Sequence, residues 1–151
     1  MKWITKSFKE LTTDELYDFL KLRIDVFVVE QTCYYPDLDD LDRHPETLHL
    51  FGYNEGDGKM HAYLRVLPKG TTYKNHISIG RVLIANAARG SGLGHELIKL
   101  GINACNEHFN TSSIKISAQE HLAKLYQQHG FKQVTEMYLE DGIPHIGMLK
   151  A

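Results

Sequence analysis

Ile77-Ser78-Ile79-Gly80-Arg81-Val82-Leu83-Ile84-Ala85-Asn86-Ala87-Ala88-Arg89-Gly90-Ser91-Gly92-Leu93-Gly94 is the stretch whose reading decides the fold. Residues 77–84 read as a buried strand. Beyond the glycines, Leu93, Leu97, Leu100, Gly101, Ala104 and Cys105 recur at helical spacing. A strand that feeds a glycine-rich turn and opens a helix is suited to holding an anion. The first amides of a helix lack intrahelical partners, and the helix dipole adds partial positive charge there. Glycines let that backbone approach a phosphate without side-chain obstruction. A glycine-rich turn alone would often be a connection only, and it is the strand–turn–helix context that gives it meaning.

Upstream of this unit, residues 3–8 read as a first strand. A helix follows over about 12–30, opened by a Thr12/Glu15 capping box with Leu11 and Leu16 as its hydrophobic staple. Leu16, Leu20, Ile24, Phe27 and Val28 carry its apolar face. An acidic, aromatic loop runs from Gln31 to about Pro45. Strands over 47–53 and 60–67, joined by Asn54-Glu55-Gly56-Asp57-Gly58, form an antiparallel hairpin. Downstream, residues 113–117 alternate as a strand, and a helix over about 120–129 stops at Gly130. Residues 131–138 and 145–149 close the chain as a hairpin around 140–144. The order β-α-β-β-β-α-β-α-β-β predicts one mixed α+β domain over 1–151.

Composition narrows the function. With 42% hydrophobic residues in 151, the chain can bury a real core, and a net charge of −2 argues against nucleic-acid binding. No apolar run suits a membrane span, and the first residues lack a signal peptide's apolar core. The two cysteines, Cys33 and Cys105, read as free thiols of a cytoplasmic protein. The nine histidines are scattered singly, and Asp37, Asp39 and Asp42 miss the calcium-loop pattern at its fifth, sixth and twelfth positions, so no metal is expected.

Four segments carry a resemblance. Arg89, Gly92 and Gly94 fit the pattern (Gln/Arg)-x-x-Gly-x-(Gly/Ala), and residues 123–131, Ala-Lys-Leu-Tyr-Gln-Gln-His-Gly-Phe, fit Ala-x-x-(Leu/Phe)-Tyr-x-x-x-Gly-Phe. With the segments 22–31 and 140–148 they make the whole chain resemble the GNAT superfamily of acyl-coenzyme A N-acyltransferases, and within it the ElaA family. The resemblance implies a mixed, mostly antiparallel central sheet flanked by helices and splayed between its fourth and fifth strands, with acetyl-coenzyme A in the gap. Arg89 and the amides of Gly90, Ser91, Gly92, Leu93, Gly94 and His95 would meet the pyrophosphate. Backbone groups of Val82, Leu83 and Ile84 would pair with the pantetheine arm as another strand would. Gln119 stands where Asn is usual, near the thioester end.

The implied chemistry is direct transfer to a small-molecule or peptide amine. Tyr126 would protonate the leaving thiolate, although its alternative is an aromatic core position on an amphipathic helix. A backbone amide of the fourth strand would stabilise the oxyanion. Glu30, His49, Glu120, His121 and His145 are all conceivable bases, among which Glu30 and His49 are taken forward. On the acceptor side, Gln31 ends the first helix, and Asp39 and Asp42 belong to an acidic rim that would attract a cationic amine or simply be solvated. Arg23, Arg65 and Arg81 would either form a network with Glu30 or an aspartate of that loop, or, through Arg65 and Arg81, grip an acceptor carboxylate. A non-catalytic acyl-coenzyme A sensor and a relative of acyl-homoserine lactone synthases are the rival readings, and a homodimer is admitted.

Overall fold

The computed structural model describes residues 1–151. Strand β1 (Lys2–Ser7) leads to α1 (Thr13–Arg23), whose capping box forms as the sequence predicts: Glu15 N–H donates to Thr12 Oγ1 at 3.1 Å and Thr12 N–H to Glu15 Oε1 at 2.8 Å. The α-helix is shorter than the expected 12–30. From Ile24 to Glu30 the chain continues as a π-helix, a wider winding common at functional sites. Then come β2 (Leu48–Tyr53), β3 (Met60–Leu67), β4 (Ser78–Ile84), α2 (Leu93–Phe109), β5 (Ile114–Gln119) and the short α3 (Ala123–Gln127).

Strands β1-β2-β3-β4 form one antiparallel sheet in that order. Alternation on β2 and β3 fills both faces. Leu50, Leu64 and Val66 pack with Leu97 and Ile98 of α2, while Phe51 and Tyr63 pack with Phe19 of α1. Both faces being covered, these strands read as nearly unbroken buried runs. Gly101 of α2 permits the close approach, since a Cβ there would lie 2.8 Å from Leu64 Cδ2.

The C-terminal segment departs from expectation. Residues 131–138 do not form one strand but two short ones, β6 (Lys132–Gln133) and β7 (Tyr138–Glu140), both paired with β8 (Ile143–Lys150). Between them the Thr135 side chain replaces the ladder, its Oγ1 accepting the Gly147 N–H at 2.8 Å. Asp141 and Gly142, with φ of 51° and 77°, make the two-residue turn between β7 and β8.

β5 and β8 pair antiparallel in this second sheet. The two sheets touch at one parallel bridge, Ile77 to Ile114, where Lys115 N–H donates to Ile77 O at 3.1 Å. Beyond that bridge β4 and β5 part, giving the mixed α+β architecture its cleft.

Candidate active site

The cleft between β4 and β5 encloses about 600 Å³. At one end lies the glycine turn. Gly90 and Gly92 adopt φ of 85° and 80°, and Gly92 caps α2 with no side chain bonded to the first-turn amides. A Cβ built on either glycine would meet nothing within 4 Å, so space lies open over these unpartnered donors. Leu93, Gly94 and Arg89 share this wall. Ser91 turns aside, its Oγ donating to Ala88 O at 2.9 Å, and the His95 ring meets His129 at 3.0 Å between Nδ1 and Nε2.

Along the cleft, β4 is bulged. Tyr63 faces Leu83 and Arg65 faces Gly80, so Arg81 and Val82 together oppose Leu64. Arg81 takes φ of 52°, the left-handed value of a bulge residue, and the ladder to β3 is interrupted beside the gap. Val82, Leu83 and Ile84 line the cleft. On the opposite wall β5 alternates: Ile114, Ile116 and Ala118 are buried in the core, and Ser117 and Gln119 line the cleft. Register then places Gln119 beside His145 of β8, and His145 beside Tyr138 of β7.

Two contacts from the end of the π-helix span the gap. Glu30 Oε2 meets Arg89 Nη2 at 2.8 Å, and the Gln31 and Gln119 amides exchange contacts of 3.4 Å. The cleft thus becomes a covered channel from the glycine turn to a polar face. Tyr126 projects from α3 into this channel, packed edge-on against Phe131 at 5.8 Å. Burial pushes its phenol well above the usual range, with no charge or hydrogen bond contributing.

Arg23, Arg65 and Arg81 converge on the acidic loop. Arg23 is fully buried, its Nε donating to Asp37 Oδ2 at 2.9 Å, its Nη1 to Asp42 Oδ1 at 2.7 Å and its Nη2 to Asp37 O at 2.9 Å. Arg65 grips Asp39 with both terminal nitrogens, at 2.8 and 2.6 Å, and Arg81 Nε reaches Asp37 Oδ1 at 2.9 Å. The loop is therefore no open negative rim. Asp39 and Asp42 are committed to arginines, and neither lines the cleft. The reason is physical: two buried guanidinium groups and a third, partly buried one need three counter-charges. Nor does the structure bring His49 to the cleft. It is fully buried, its Nδ1 2.7 Å from Tyr63 Oη and its Nε2 3.0 Å from Asp42 O, and burial lowers its proton affinity.

The knot has an acid signature. Burial alone would raise Asp39, but the Arg65 fork outweighs it and holds the carboxyl at about 2. A carboxyl depressed by folding stabilises fully above the unfolded value of about 3.9, and that contribution is lost as pH falls through the folded value. The melting temperature of the protein, followed by circular dichroism, should fall between about pH 4 and pH 2. Asp39→Asn should start lower and fall less across the same window. A variant that tracked the native slope would remove Asp39 from the acid response.

Residues 46–151 match the family model described as acetyltransferase (GNAT) domain. The chain belongs to the GNAT acetyltransferase family. It is 39% identical to protein ElaA of Escherichia coli over 150 residues, covering 99% of this chain and 96% of that protein. The crystal structure of an acyl-CoA N-acyltransferase from Pseudomonas aeruginosa superposes with a TM-score of 0.92 at 44% identity, covering 99% of both chains. That of E. coli ElaA also gives 0.92, at 37% identity over the full length of both. A CoA-dependent acyl-homoserine lactone synthase shares the fold at TM-score 0.77 and 17% identity, covering 96% of this chain and 80% of that one.

In this GNAT chain the cleft also gathers residues that sequence reasoning passed over: Tyr35, Tyr73, Ser117 and Glu140. The Ser117 hydroxyl lies 2.5 Å from Tyr138 Oη and donates to Glu140 Oε1 at 3.2 Å. His145, one of five conceivable bases in the sequence, stands here, its Nδ1 2.7 Å from Ile143 O and its Nε2 3.4 Å from Glu140 Oε2. Strand alternation was the available signal for Ser117, because it shares a face with Gln119. No membrane-crossing helix is present.

Proposed function

We propose that the chain is an N-acyltransferase that moves an acetyl group from acetyl-coenzyme A to an amine within a ternary complex. The observation that carries this reading is the channel itself: one continuous cleft joins a glycine cradle of unpartnered helix amides to a polar face holding an imidazole. The residues present fit coenzyme A. The cradle suits its pyrophosphate, and β4, the last strand of its sheet, offers a free edge along Val82–Ile84 that suits an extended amide-bearing arm. Bound acetyl-coenzyme A supplies an activated thioester carbonyl.

The chain supplies the rest. An alkylamine is mostly protonated near neutral pH and must lose a proton before it attacks. His145 is the base this geometry favours. With Nδ1 donating to Ile143 O, the neutral ring keeps its lone pair on Nε2, and Glu140 stands ready to stabilise the imidazolium formed. Glu30 is less suited, being already paired with Arg89. Tyr126 lines the cleft and stays protonated, and it is the donor we assign to the departing sulfur.

Two measurements test this. Wild-type protein with acetyl-coenzyme A should release free thiol in the presence of at least one amine from a broad panel. Gly92→Val should abolish or greatly weaken coenzyme A binding by calorimetry, because a branched side chain at φ of 80° intrudes on the cradle and strains the turn. Binding without turnover against every amine would sink the transferase reading in favour of a sensor. Unchanged affinity in a folded Gly92→Val protein would remove the cradle.

A further inference from the structure

The charges of the cleft can be paired off one by one. Three arginines line it, and each already has a carboxylate: Arg65 holds Asp39 at 2.6 Å, Arg81 holds Asp37 at 2.9 Å, and Arg89 holds Glu30 at 2.8 Å. The two lining carboxylates without an arginine or lysine are Glu140 and Asp141. They are adjacent on the β7–β8 turn, and the only charge-capable partner of Glu140 is His145. Lys115 stands outside the lining, held over the Tyr73 ring at 4.9 Å. The polar end of the channel therefore presents net negative charge, although the acidic loop has spent its own.

The surroundings are mostly aromatic and hydroxylic, with the Lys115 ammonium taken up by the Tyr73 ring. Tyr138 stacks on His145 with ring centres 6.3 Å apart, and its hydroxyl meets Ser117. Tyr73 lines the same cleft as Glu140, and burial, with the charges of Tyr138 and Glu140 adding to it, pushes its phenol up to about 12. Aromatic faces and an unmatched carboxylate attract an alkylammonium. The same arrangement repels a carboxylate, which would find no free guanidinium to pair with.

We propose that this face is the acceptor subsite and that it takes an aliphatic diamine rather than an amino acid. One ammonium is anchored by Glu140 beside His145, and the second lies toward Asp141. The inference rests on the acyl-transfer reading for the fate of the amine, but not for its binding. In the transfer, one ammonium and one thioester give one amide, one thiol and one proton. The C–N bond forms as the C–S bond breaks, and nitrogen gives up two protons: His145 accepts one and releases it to solvent, and the other restores the phenol of Tyr126 after Tyr126 has protonated sulfur.

Two probes of equal chain length separate the charges: 1,4-diaminobutane and 4-aminobutyrate. Calorimetry on the coenzyme A-loaded protein should show the diamine binding about tenfold or more tightly than the amino acid, a preference that shrinks in high salt. Glu140→Gln should weaken diamine binding by about tenfold or more and leave 4-aminobutyrate little changed. Glu46→Gln, the same charge change at an exposed site outside the cleft, should do neither. Equal binding of the two probes, preference for 4-aminobutyrate, or an undiminished preference in Glu140→Gln would each overturn the proposal. Binding needs no turnover, so failure to release thiol would sink the transferase reading while the diamine subsite stood.

Discussion

Arg23→Ala should cost about 3–5 kcal/mol of a total that for such domains is about 5–15 kcal/mol. The substitution removes one guanidinium and three hydrogen bonds at once. It also leaves the nearly buried carboxylates Asp37 and Asp42 short of their counter-charge. Stranding a charge is the expensive part, since burial penalises an ionised carboxylate that has lost its partner. In melting temperature this corresponds to about 6–20 °C for a chain of this size. Arg23→Lys keeps the charge but cannot reach Asp37 Oδ2, Asp42 Oδ1 and Asp37 O together, so it should recover only part of the loss. An Arg23→Ala protein melting within a few degrees of wild type would show that the knot rearranges around water at little cost. The prediction concerns function as well as stability, because Arg23 ends α1 where the π-helix begins, and Glu30 and Gln31 reach the cleft from that helix.

The cradle was legible because its signals are local. A buried run, glycines at 90, 92 and 94 and a helical repeat from Leu93 all lie within about thirty residues, and each predicts the next. The knot was legible only as a choice. Arg23, Arg65 and Arg81 sit on α1, β3 and β4, and nothing in the spacing of 23, 65 and 81 says they meet. That an arginine on a core-facing position needs a partner was readable. Which partner, and that the loop's negative charge is used up by the answer, depends on how the loop folds over the sheet. His49 went astray for the same reason: a histidine on a strand flanked by leucines carries no mark of which face is core, and here both faces are. The break between β6 and β7 was hidden because Thr135 replaces a backbone pairing with its side chain, which an apolar pattern does not register. Glu140 and Ser117 acquire meaning only through register, when β7, β8 and β5 lie side by side.

Tyr126→Phe should leave folding and coenzyme A binding intact and lower kcat by about 10- to 1,000-fold. The ring stays, so the edge-on packing against Phe131 survives. Burial alone governs this phenol, so removing its hydroxyl leaves no charged or hydrogen-bonded neighbour unsatisfied. A structural Tyr126 would therefore give a near-silent variant, and a catalytic one a folded but slow enzyme. The pH dependence separates acid catalysis from a small distortion. A donor to sulfur matters while the departing thiolate needs a proton, and matters less above the ordinary thiol value of about 8.5. The gap in kcat between wild type and Tyr126→Phe should accordingly narrow as pH rises past that value. A misplaced thioester would instead slow the variant by the same factor at every pH. Wild-type kcat at saturating substrates would return Tyr126 to the core of α3, and the proton for sulfur would then have to come from solvent at the open end of the channel.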